Sequence, residues 1–139
     1  MTADRKKVLI VDDQETVLMI EGRLATFAGY EALTAADGDE ALKLARSEPV
    51  HLILLDIMLP KMSGIEVLRE LKSDPKTRDI PVVVITALQV DKGGDANEFP
   101  GAARILSKPV SAGELQEIFR KYLAAQDHPG GESKIEDKE

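Results

Sequence analysis

Short apolar runs alternate along the chain with longer segments in which apolar residues recur every three or four positions. Val8-Leu9-Ile10-Val11 is followed by the polar pair Asp12-Asp13, and then Val17, Ile20, Leu24 and Phe27 recur at helical spacing as far as Gly29. An apolar run followed by that periodicity predicts a strand and then an amphipathic helix stopped by a glycine. The unit repeats. Glu31 to Ala35 reads as a second strand, and Asp37, with Glu40 three places on, opens a helix holding Ala41, Leu42, Leu44 and Ala45. Leu52 to Leu55 is a third strand; Ser63 with Glu66 caps a helix bearing Ile65, Leu68 and Leu71 that ends before Pro75. Val82 to Ile85 is a fourth strand and Arg104-Ile105-Leu106 a weaker fifth. Ser111 with Glu114 caps a last helix through Leu115, Ile118, Phe119, Tyr122 and Leu123.

Continuous apolar strands are what a parallel sheet buried on both faces requires, and the intervening segments are long enough for right-handed helical crossovers. The fold class is therefore α/β. Five units are too few for an eight-stranded barrel, so an open doubly wound sheet is expected, with its ligand site at the carboxyl ends of the strands.

Composition narrows the function. At 139 residues the chain is sized for one domain that buries roughly two-thirds of its unfolded surface. It has no cysteine, which excludes a disulfide framework, a thiol nucleophile and a thiolate metal site; His51 and His128 are too far apart in sequence to expect a histidine metal cluster. A metal would have to be held by oxygen. The formal charge of −7 disfavours nucleic acid and anionic lipid as partners. No apolar segment reads as a membrane span or an export signal, so a cytoplasmic location is expected. Residues 126–139 carry five acids and two bases and read as a polar, mobile tail behind a domain at residues 1–125.

The residues that can carry chemistry stand at the carboxyl ends of the strands: Asp12 and Asp13 after the first, Asp56 after the third, Thr86 after the fourth, Ser107-Lys108-Pro109 after the fifth. If the first and third strands are neighbours, roughly 4.8 Å apart, three carboxylates converge, and their repulsion raises at least one pKa unless a cation joins them. Hard oxygen ligands without His or Cys select Mg²⁺ or a similar ion. A lysine and a hydroxyl opposite such an ion suit phosphoryl oxygens, which points to phosphoryl transfer to a carboxylate. Taken singly, each residue has an ordinary explanation: a helix cap, a turn acid, a β-branched strand end, a surface lysine. Their conjunction is what favours a site.

Asp12-Asp13, the run Asp56-Ile57-Met58-Leu59-Pro60-Lys61-Met62-Ser63-Gly64, Thr86-Ala87 and Lys108-Pro109 together resemble the receiver domain of two-component response regulators, over about residues 6–125. The resemblance implies a flavodoxin-like sheet in the order 2-1-3-4-5 and a protein that is a switch, not a turnover enzyme. It implies that Asp56 takes a phosphoryl group from the phosphohistidine of a sensor histidine kinase or phosphotransfer protein. Mg²⁺ would be bound by Asp13, Asp56 and the Met58 backbone carbonyl, with Asp12 acting through water, and Thr86 and Lys108 would hold the phosphoryl group. A cis peptide at Lys108–Pro109, an unidentified downstream protein and a monomer or weak dimer complete these expectations.

Three features depart from that pattern or modify it. Ile105 stands where the family usually has an aromatic whose rotation accompanies the switch, so signal relay is expected to be altered. Leu88 to Pro100, the family's fourth helix, contains Gly93-Gly94 and Pro100 and is expected to be short. Met58 and Leu88, which border the route of hydrolytic water in this family, are apolar and are expected to slow phosphoryl loss. A phosphorylation-independent interaction module is the alternative function. An aspartate-nucleophile phosphatase is disfavoured, because it needs an acid two places after the nucleophile, where Met58 stands.

Overall fold

The apolar runs pair side by side in parallel. A computed structural model describes residues 5–87 and 99–124. Its elements are β1 (Lys7–Val11), α1 (Glu15–Phe27), β2 (Glu31–Ala35), α2 (Gly38–Ser47), β3 (Val50–Asp56), α3 (Gly64–Ser73), β4 (Val82–Thr86), β5 (Arg104–Ser107) and α4 (Ala112–Tyr122). The five strands form one sheet in the order β2-β1-β3-β4-β5, every pairing parallel. The expected α/β class and strand order are therefore the observed ones. The expected tail at 126–139 and most of the expected helix between Leu88 and Pro100 lie outside the described residues.

Because side chains alternate across a strand, each apolar run feeds two cores. Leu9, Val11, Ile53, Leu55, Val82 and Val84 face α2 and α3, where Ala41, Leu42, Val67, Leu68 and Leu71 meet them. Val8, Ile10, Leu52, Leu54, Val83 and Ile85 face the other way, onto Ala25 of α1 and Leu115, Ile118 and Phe119 of α4. Burying each such side chain contributes about 1.5–3 kcal/mol, and the two layers hold the strand ends in fixed register. Among the described residues no helix is long and apolar enough to cross a membrane.

Local chemistry sets the helix starts. Ser63 and Ser111 accept from the backbone N–H groups of Glu66 and Glu114, whose carboxylates return to the serine N–H groups, so both expected capping boxes are present. At α2 the Asp37 side chain accepts from Glu40 N–H, but Glu40 reaches back one residue further, to the N–H of Ala36.

One helix face departs from the periodicity. In α1, Ile20 is 54% exposed and Phe27 90% exposed, while the buried positions are Glu21 and Ala25. The packed stripe thus runs through Leu18, Glu21, Leu24 and Ala25, about one residue round from the apolar set Val17-Ile20-Leu24-Phe27. Ile65 of α3 likewise points partly outward. β3 begins at Val50, two residues earlier than expected: His51 Nδ1 accepts the Lys7 N–H at 3.0 Å, beside an irregularity in the β1–β3 register. His51 is thus a structural histidine.

Candidate functional site

Three strand ends open onto one side of the sheet. Val11 pairs with Leu55 and Asp56 pairs with Ile85, so the residues just past β1 and at the ends of β3 and β4 lie next to one another. Thr86 is level with Ser107, which brings Lys108 beside the same edge. The Lys108 N–H donates to the Thr86 carbonyl at 2.8 Å and ties the turn after β5 to the end of β4. The Lys108–Pro109 peptide is cis.

Asp12 and Asp56 are buried and Asp13 is exposed, and one carboxylate oxygen from each lies within 4.8 Å of the others. Buried carboxylates need partners, and here they are few. Asp12 Oδ1 accepts the Gln14 N–H at 2.9 Å, a contact at the entry to α1, while its Oδ2 accepts from Lys108 Nζ at 2.7 Å. Asp56 Oδ1 accepts the Met58 N–H at 3.1 Å, and its Oδ2 lies 3.3 Å from Lys108 Nζ. One ammonium is therefore shared between two buried carboxylates, with the third carboxylate open to solvent.

The charges respond to this crowding. Burial pushes the Asp56 carboxyl above its usual range; the Met58 N–H offsets part of that, the Asp12 charge adds to it and Lys108 opposes it. Burial alone would lower the Lys108 ammonium, but its hydrogen bond to Asp12 and the attraction of Asp56 and Asp12 outweigh that and leave it above the usual lysine value. Three acids facing one lysine leave an excess of negative charge. That donor set, all oxygen and two-thirds buried, fits a hard divalent cation.

The loop after β3 is held close to this edge. A Cβ at Gly64 would collide with the Asp56 carbonyl oxygen and the Ile57 Cα, and the Gly64 N–H donates to the Ile57 carbonyl at 2.9 Å. Only glycine lets the start of α3 approach the end of β3 so closely. Lys61, at φ 67°, turns the loop, and Met58 stands 56% exposed at the rim. Thr86 is wholly buried. Ile105 is half-buried and packs on the α2–α3 core. Leu88 lies outside the described residues.

All the candidate residues that are described fall at this edge: Asp12, Asp13, Asp56, Met58, Thr86, Lys108 and Pro109, with Ile105 in the adjoining strand. One buried acid near them was not expected. Glu21, on the sheet-facing stripe of α1, is pushed up to about 7, chiefly by burial and then by the Asp12 charge. Its sequence signal was an acid at the position where α1 needs an apolar residue between Leu18 and Ala25.

The acidic cleft and its lysine lie at the carboxyl edge of an open parallel sheet, the place where doubly wound α/β domains bind their ligands. A family model described as the response regulator receiver domain matches residues 8–120, and the chain belongs to that family, whose general work is phosphorylation-based signalling. The chain is 38% identical over 118 residues to the polar-differentiation response regulator DivK of Brucella anthropi, covering 85% of this chain and 96% of that one. Among solved structures it is similar to a CheY-like receiver domain protein from Methanospirillum hungatei JF-1, with a TM-score of 0.79, 29% identity, and coverage of 91% and 100%. It is also similar to the receiver domain of a Pseudomonas aeruginosa PAO1 sensor histidine kinase, described with a magnesium ion coordinated in its active-site cleft. That match has a TM-score of 0.76 and 27% identity and covers 87% of this chain and 99% of that one.

Proposed function

We propose that this protein is a phosphorylation-driven switch in which Asp56 is the phosphoacceptor. The observation that carries this reading is the convergence of Asp12, Asp13 and Asp56 on one edge with a single lysine shared between the two buried acids. Asp12, Asp13, Asp56 and the Met58 carbonyl are the groups that would hold Mg²⁺, which when bound supplies neutralisation of phosphoryl oxygens. The Mg²⁺-bearing relative supports that assignment.

The chain's own groups then divide the remaining work. An Asp56 carboxylate oxygen attacks phosphorus in line, the phosphorus–nitrogen bond of a phosphohistidine breaks, and the imidazole leaves. Lys108 turns its ammonium from the carboxylates toward the incoming phosphoryl oxygens, and the Thr86 hydroxyl donates to one of them. The donor is a sensor histidine kinase or a histidine phosphotransfer protein, and the acyl phosphate formed is read by a downstream protein. Lys108 and Thr86 are bonded through the backbone, so a phosphoryl group that draws both side chains biases the turns after β4 and β5 together. Ile105, without a large ring to rotate, relays that bias by packing alone.

Beryllofluoride, a tetrahedral mimic of an acyl phosphate, tests the reading without a kinase. Fluorine NMR of the protein with beryllofluoride and Mg²⁺ is expected to show a bound signal that is lost in Asp56→Asn and on chelation of Mg²⁺. A bound signal that survives Asp56→Asn, or none in the wild type, overturns the assignment; the latter leaves a phosphorylation-independent interaction module as the function.

A further inference from the structure

Helix α1 starts beside the cleft and runs back to the opposite edge of the sheet, where β2 begins, and its outer side is apolar. Phe27, in its last turn, is 90% exposed, and Met19 and Ile20 are each more than half exposed. Phe27 forms part of two grooves. One, of about 310 Å³, lies between the ends of α1 and α4 and is walled by Leu24, Tyr30, Phe119, Arg120 and Ala124. The other, of about 610 Å³, follows α1 along β2, with Met19, Arg23 and Ala32 in its walls. Both have the size of clefts that take up ligands, ~300–1,000 Å³. A contiguous apolar patch of this kind marks an interaction surface.

Electrostatics selects what fits it. The chain carries a formal charge of −7, yet among the described residues no acid lines either groove, and the charged groups there are Arg23 and Arg120. Both are exposed, and neither guanidinium has an ion pair among the described residues. Lys121 adds a further positive charge to the last turn of α4. An apolar face bordered by unpaired arginines suits an acidic segment with an apolar anchor. Two copies docked symmetrically through this face would instead bring the arginines of one toward those of the other.

The sequence next to the groove has that chemistry. Ala124, in the wall of the first groove, is followed by residues 125–139, in which Asp127, Glu132, Glu136, Asp137 and Glu139 outnumber Lys134 and Lys138, and Ile135 is the one large apolar residue. Ile135 stands 11 residues beyond Ala124, a length of chain that spans up to roughly 36 Å, whereas the 13 residues of α1 extend about 20 Å. Every part of both grooves is within reach. Tethering holds such a segment beside its groove at an effective concentration on the order of millimolar, so a contact too weak for a free peptide is populated within one chain.

We propose that residues 125–139 dock on this face of their own chain, with Ile135 against Phe27 and the acids beside it on Arg23 and Arg120. The site is at the edge opposite Asp56 and stands apart from the chemistry of the cleft.

Because the chain has no cysteine, Ser133→Cys gives one attachment point for a nitroxide label on the segment. In amide NMR of the labelled, ¹⁵N-enriched full chain, the signals of Met19, Arg23 and Phe27 are expected to lose most of their intensity, while those of Asp13 and Ser63 at the cleft edge keep theirs. Reversing both exposed arginines, Arg23→Glu with Arg120→Glu, is expected to restore the α1 signals, and so is Ile135→Ser. Signal loss confined to the last turn of α4, or loss along α1 that either change leaves intact, overturns the proposal. Equal loss along α1 when the label is carried by unenriched copies mixed with an enriched, unlabelled chain also overturns it, and assigns the face to the same segment of a second copy.

Discussion

Lys108 balances the cleft. Its ammonium lies 2.7 Å from Asp12 and 3.3 Å from Asp56, so it competes for the two buried acids with any cation that approaches them. A positive charge at that distance from a partly desolvated site opposes a second one strongly. Lys108→Ala is therefore expected to bind Mg²⁺ on the order of tenfold more tightly, by calorimetry, while its phosphorylation by a small phosphodonor slows. Equal or weaker Mg²⁺ binding would show that the lysine does not share the cation's place. Glu21 makes a different prediction, about stability. Its ordinary value is 4.5 and its folded value about 7. Well below pH 4.5 the group is protonated in both states and adds nothing to the pH dependence of stability. Between 4.5 and 7 the unfolded chain ionises freely while the folded one holds its proton, so stability falls as pH rises; above 7 the loss is complete, about 3 kcal/mol. Urea unfolding without Mg²⁺ should show Glu21→Leu more stable than the wild type by about that amount at roughly pH 8, with the gap closing toward pH 4.5. Parallel pH profiles for the two proteins would contradict it.

The β3–α3 connection decides where Asp56 sits. Gly64 gives the close approach, and the reciprocal Ser63–Glu66 cap fixes the start of α3. Gly64→Ala must push α3 off the end of β3, because the atoms in the way are backbone. A loss of about 1–3 kcal/mol in unfolding free energy is expected, together with weaker Mg²⁺ binding, since the carbonyl displaced belongs to Asp56 itself. Wild-type stability and Mg²⁺ affinity in that variant would mean the contact is slack. The strands and caps were legible because their signals are local: a run of β-branched and aliphatic residues, or a serine with a glutamate three places on. The packed face of α1 was not. Ile20 and Phe27 are apolar yet solvent-facing, and Glu21 is charged yet buried, so periodicity pointed about one residue round the helix from the face that tertiary packing selects. Val50 and His51 were missed as strand residues for a related reason: a histidine interrupts the apolar run, and what carries the two into the sheet is the distant pairing of Val50 with Lys7, with the Lys7 N–H donating to His51 Nδ1.

Across the molecule the sheet acts as a ruler that sets polar strand ends side by side. Asp12, Asp13, Asp56, Thr86 and Lys108 are scattered along the sequence, and parallel pairing in the order β2-β1-β3-β4-β5 gathers them on one edge. That much of the site is legible in the sequence, because each of these residues comes at or just after the end of an apolar run. Two separate cores on the two faces leave the edge as the place where a charge change can be felt by both layers. We propose that this edge supports Mg²⁺-dependent phosphorylation of Asp56. Intact-protein mass spectrometry after incubation with acetyl phosphate tests it most directly, with chelated and Asp56→Asn samples alongside. A single phosphoryl adduct is expected on the wild type and is expected to disappear in both controls; no adduct on the wild type in the presence of Mg²⁺, or an adduct retained in Asp56→Asn, overturns the proposal.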